Sequence, residues 1–168
     1  YEGRWEINDR LIFLTRDEVT DEFRDVMGIR IVRGRWFEPA DDGLNFRPVV
    51  VDTDIAALLF PGQDPIGLKF DVFDDRELRV VGLMAPYRKD GEFSKQSNMV
   101  LSRVARNGTD GRVPRNLVIK LTPGTPAAFE EQLSARIRAV MPEWDFRVRH
   151  LDKMRDASLR MQTAPALA

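Results

Sequence analysis

The longest unbroken apolar run in this 168-residue chain is Ile55–Phe60, and that brevity sets the first limit on what it can become. A helix crossing a bilayer needs roughly 18 or more such residues in succession, so nothing in these residues reads as a span. The other apolar runs, such as Leu11–Leu14 and Val49–Val51, have strand length and are separated by clusters of Gly, Pro and Asp. Short runs punctuated in this way predict a sheet accompanied by short helices. At 43% hydrophobic residues the chain can bury a core, which excludes wholesale disorder.

The local patterns fill in that α+β expectation. Trp5 and Ile7 alternate with polar residues as a half-buried strand, and Leu11–Thr15 reads as a buried one. Thr20–Met27 carries Phe23, Val26 and Met27 at helical spacing, with Thr20 as the N-cap and Gly28 at C′. Ile29, Ile31 and Val32 resume a strand that reaches Gly34, and Glu38–Leu44 reads as a surface loop. Pro48–Val51 predicts a buried strand, followed by a short helix capped by Asp52 or Thr53. Phe60–Gly67 turns the chain twice; Leu68–Val72 and Leu78–Leu83 form a hairpin, and Met99–Leu101 a brief strand. Leu117, Ile119 and Leu121 alternate as a strand before Thr125-Pro126 opens a helix carrying Phe129, Leu133, Ile137 and Val140 on one face. Phe146 and Val148 then predict a returning strand, and Leu151, Met154 and Leu159 a last helix.

Patterns that carry chemistry are scarce. The 26 basic and 27 acidic residues leave a net charge of -1, without the cationic excess on which nonspecific nucleic-acid binding depends. Cysteine is absent, so disulfides and thiolate metal sites are excluded. Gly62–Lys69 faintly resembles a phosphate-binding loop. However, Leu68 separates Gly67 from Lys69, Phe70 replaces the hydroxyl residue, and Pro65 lacks the N–H that such a cradle uses. The single histidine, His150, has no Gly-x-Ser-x-Gly elbow to serve, and one His without Cys is a poor zinc set. Asp41–Asp42 and Asp71, Asp74 and Asp75 lack calcium-loop spacing and read as solvated turns. Asn107–Thr109 reads as a turn, Arg112 and Arg115 as a solvated loop, and Trp5, Trp36 and Trp144 lie too far apart to form a stacking platform. No catalytic, cofactor-binding or metal-binding residue is assigned.

Three stretches nevertheless occur in a recognisable order. Thr20–Ile29 leads through a short strand into Gly34–Phe37 and the Asp41–Asp42 loop. Pro48–Val51 precedes a helix that ends in Leu59–Gly67, and Val80–Gly82 follows the hairpin. This succession resembles the extracytoplasmic core domain of MacB-like, or FtsX-like, ABC transporter permeases.

The resemblance implies a periplasmic domain of a bacterial inner-membrane protein, inserted between the first two of four membrane helices. It implies a porter-like subdomain from 1–45 and 115–168, with a Sabre-like α/β insertion at 46–114. It implies no catalysis and no cofactor. ATP would be hydrolysed by a cytoplasmic ATP-binding subunit or domain, and a second permease copy would complete a dimer. The domain would act on a periplasmic substrate or accessory protein, in efflux, export or lipoprotein release. Within the matched motifs, Gly34 and Gly82 are expected to allow close packing and Arg35 to pair with Asp41 or Asp42. Phe37 and Phe60 are expected to anchor core clusters, Pro65 and Gly67 to set a turn, and the Pro86–Asn98 loop to meet a partner. The chain opens at Tyr1 without Met or signal peptide, and reads as part of a longer protein. The competing reading is a free-standing α+β enzyme or ligand-binding module with a loop-borne site.

Overall fold

The computed structural model describes residues 2–7, 10–70, 77–88, 98–105 and 115–163. The chain divides into two units, Tyr1–Val118 and Ile119–Ala168.

The first unit is organised by one seven-stranded mixed sheet. Its strands are β1 (Glu2–Ile7), β2 (Arg10–Val19), β3 (Ile31–Gly34), β4 (Arg47–Asp52), β5 (Lys69–Phe70), β6 (Leu78–Met84) and β7 (Met99–Arg103). They lie in the order β1-β2-β7-β4-β6-β3, with β5 also on β6. The β2–β7 and β4–β6 pairs are parallel and the other pairs antiparallel. Successive side chains of a strand point to opposite faces, and β4 shows the consequence. Val49 and Val51 join a cluster with Ile12, Leu14, Ile55, Leu78, Val80 and Val100, while Val50 joins another with Trp36, Phe37, Met84, Met99 and Leu101. Every residue of β4 and β7 is buried, which explains why both read as near-continuous apolar runs.

Helices α1 (Phe23–Met27) and α2 (Thr53–Leu59) complete this unit. Asp52 caps α2 by accepting hydrogen bonds from the Asp54 and Ile55 N–H groups. Thr20 does not cap α1: the helix starts later, behind Glu22, which makes no side-chain cap. Gly28 does end it, in the left-handed conformation at φ 67°. Leu11–Thr15 is half-buried instead of buried throughout, because Ile12 and Leu14 enter the core while Leu11 and Phe13 face outward. The loop expected at Glu38–Leu44 contains a 3-10 turn, Pro39–Gly43, whose Asp41 is buried.

β3 and β4 both pair with β6 within a single sheet. The second unit contains α3 (Ala128–Val140) and α4 (Leu151–Thr163). Residues 117–121 and 146–148 form no strand, contrary to their alternating pattern. Alternation prepares one face for burial, but a strand exists only where another backbone completes its ladder, and neither stretch joins a sheet among the described residues. Leu117, Leu121 and Val148 are accordingly exposed. No helix among the described residues is long and apolar enough to cross a membrane.

Candidate functional site

Among the described residues a dense polar constellation lies at the end of β7, and it is built from sequence-distant pieces. Arg103, the last residue of β7, is buried at 7% exposure. Its Nε and Nη2 donate to the two carboxylate oxygens of Asp21 at 2.7 and 2.9 Å, and its Nη1 donates to Asp42 Oδ1. These hydrogen bonds, those to Asp21 foremost, hold the Arg103 pKa above its ordinary value against the opposing effect of burial. Alongside it, Arg35 grips Asp41 with both terminal nitrogens, at 2.6 and 3.0 Å. The Arg35 pKa is raised chiefly by that hydrogen bond. Asp41 Oδ2 also accepts from the Glu38 N–H, closing the first turn of the 3-10 segment. The Trp36 indole N–H donates to the Asp21 carbonyl at 2.8 Å, tying this segment to the entry of α1.

Arg35 therefore pairs with the acidic loop as the sequence predicts, and the choice falls on Asp41, leaving Asp42 to Arg103. Gly34 and Gly82 stand where β3 leaves β6. A Cβ on Gly82 would lie 2.1 Å from the Arg35 carbonyl oxygen, and one on Gly34 would lie 2.3 Å from that of Val81. Phe37 is buried in the core cluster, and Phe60 packs at the edge of the other. Pro65 is buried, and the Gly67 N–H donates to Val80. That N–H faces the sheet and is not free for a phosphate cradle.

The Asp52 carboxylate is fully buried. One oxygen caps α2, and the other accepts from the Met99 N–H of β7 at 2.6 Å. Burial raises its pKa, partly opposed by these three backbone donors. Sequence reasoning identified the cap but not the bond to β7, and it missed Arg103 altogether. The one available signal for Arg103 was a charge ending an apolar strand.

The remaining candidates are dispersed. His150 Nε2 meets Glu130 Oε2 at 2.9 Å, with both side chains partly exposed. Trp144 and Arg115 are exposed. Asp71, Asp74, Asp75, Asn107–Thr109, Arg112 and most of the Pro86–Asn98 loop lie outside the described residues. Among the described residues no group of three or more His, Asp or Glu could hold a metal ion. Guanidinium–carboxylate pairs of the kind found here bind and orient backbone segments.

An α+β domain with a mixed sheet, stapled by such pairs, is the class that fold and site define. The family model described as MacB-like periplasmic core domain matches residues 5–136, and the chain belongs to that family. Among curated proteins it is 35% identical over 66 residues to the macrolide export ATP-binding/permease protein MacB of Neisseria gonorrhoeae. That match covers 39% of this chain and 10% of the relative, so the chain spans about a tenth of the length of the curated relatives it matches. Among solved structures, the periplasmic region of MacB from Actinobacillus actinomycetemcomitans superimposes with a TM-score of 0.63 at 16% identity. The superposition covers 99% of this chain and 74% of that one. A permease-protein domain from Porphyromonas gingivalis superimposes with a TM-score of 0.54 at 12% identity, covering 83% and 65%. At these identities the superpositions establish the fold.

Proposed function

We propose that this chain is the periplasmic domain of an ABC transporter permease and does no chemistry of its own. On this reading it passes an ATP-driven conformational change across the inner membrane to a periplasmic substrate or accessory protein. The observation that carries the reading is the family match over residues 5–136. The printed name of the Neisseria relatives, which joins ATP-binding and permease functions, supports a cytoplasmic ATP-binding subunit or domain as the power source. A second permease copy is the remaining partner the reading calls for.

The division into porter-like and Sabre-like parts belongs to the same proposal. The break after Val118 supports a porter-like part that includes α3 and α4. On the proposed bounds the Sabre-like part, at 46–114, holds β4 to β7 and α2, and the porter-like part, from 1–45 and 115–168, takes in β1 to β3.

The test starts from a full-length permease in which any cysteine outside these 168 residues has been replaced, since these residues contain none. Exposed Gln63 and Lys120, one in each unit, are replaced singly by Cys in the full-length permease. A membrane-impermeant maleimide is expected to label both from the periplasmic side, at rates that differ between the ATP-bound and nucleotide-free transporter. Labelling only after the inner membrane is broken would overturn the location. Identical rates in both nucleotide states would overturn the transmission.

A further inference from the structure

We infer that α1 and the 35–44 segment form one cooperative flap over the sheet, and that Arg103 is its latch. The inference rests on contacts within the first unit and is independent of the transport reading. The two parts of the flap are separate in sequence, with β3 between them. They meet over the same core cluster, to which the 35–44 segment contributes Trp36 and Phe37 and α1 contributes Phe23 and Met27.

Both parts are fastened to β7 through a single guanidinium. Arg103 reaches back 82 residues to Asp21 and 61 residues to Asp42. Because β7 lies between β2 and β4, the latch is anchored in the middle of the sheet and not at an edge that could fray. The flap's own cross-link, the Trp36 indole on the Asp21 carbonyl, makes its two parts release together. The Arg35 side chain, by contrast, makes local contacts, with Asp41, Glu38 and the Trp36 carbonyl, all inside the 35–44 segment.

Regions that open below the global unfolding limit do so as contiguous cooperative units, visible in amide exchange. The geometry therefore predicts one sub-global opening that releases α1 and 35–44 together, while β4 and β6 stay protected. The experiment is amide hydrogen exchange followed by mass spectrometry on the 168-residue chain, comparing wild type with Arg103→Lys and Asp42→Asn. Lysine keeps the charge but cannot serve three acceptor oxygens from one planar fork. Loss of one charge-assisted bond is expected to accelerate exchange about tenfold or more in both 22–28 and 36–44, with β4 and β6 unchanged.

If Asp42→Asn loosens 36–44 alone and leaves α1 as in wild type, the inference is overturned. Equal loss of protection across all strands overturns it as well, since that would be global destabilisation. Should Arg103→Lys fail to fold, Asp42→Asn decides alone, because Asp42 is a partly exposed carboxylate whose replacement leaves the core intact.

Discussion

Gly82 and Asp52 show how much of this fold depends on single atoms. No flexible side chain could yield to a Cβ on Gly82, because the atom in the way is a backbone carbonyl oxygen 2.1 Å off. Gly82→Ala is therefore expected to cost about 3 kcal/mol in urea unfolding. Gly67, at φ 84° with open space around its missing Cβ, faces only the conformational penalty. Gly67→Ala should cost about 1 kcal/mol, and the ordering of the two variants is the measurement that matters. In Asp52→Asn the amide oxygen can still cap α2, but the amide nitrogen would face the Met99 N–H, donor against donor. Leaving that buried N–H unpaired costs about 2 kcal/mol. The pH dependence has a definite sign. Burial raises the folded-state pKa of Asp52, so its contribution is fully present below the unfolded value near about pH 4 and is lost as pH rises through the folded value. The wild type's margin over Asp52→Asn should accordingly be widest below about pH 4 and narrow as pH rises toward neutrality. A margin that widens instead would refute the burial argument.

Whole elements follow the same logic of partner and exposure. The Arg35–Asp41 pair joins a half-exposed guanidinium to a carboxylate only 1% exposed. Arg35→Ala removes the partner of a buried charge and should lower stability by about 2 kcal/mol, with a corresponding fall in Tm. Arg33 and Asp64 form a pair just as short, at 2.6 Å, but both side chains are more than half exposed. Arg33→Ala should change stability by no more than about 0.5 kcal/mol, so equal losses in the two variants would contradict the role assigned to burial. The strands β4, β6 and β7 were legible because central strands must be apolar on both faces. The start of α1 was not. Thr20 and Asp21 are both good capping residues by type, but the Asp21 carboxylate is committed to Arg103, and no local rule reveals a partner 82 residues away. The strands expected at 117–121 and 146–148 failed for the complementary reason. Alternation describes a face awaiting burial, and pairing depends on another backbone being there.

At the scale of the whole molecule the two units differ in how they can hold together. The first contains the seven strands and two core clusters of the described residues, whereas α3 buries no residue completely. A fragment of residues 1–118 should unfold in one cooperative transition, followed by circular dichroism against urea. A fragment of residues 119–168 should show little helix and no cooperative transition, because helices of 13 residues are marginal without tertiary packing. A sharp transition in the shorter fragment would show that α3 and α4 stabilise each other more than their exposure suggests. The family was readable from the order of short motifs, since turns, caps and strand patterns are local chemistry that survives in any one sequence. What the sequence by itself determined is the α+β class, most of the elements of the first unit and the pairing of Arg35 with its acidic loop, all set by neighbours within a few residues. Only the tertiary structure decided that the strands of 2–34 and 47–103 share one sheet, and that Arg103 gathers Asp21 and Asp42. Strand order and buried ion pairs are long-range choices: their energy depends on which distant groups are desolvated together, and that is defined only once the chain has closed on itself.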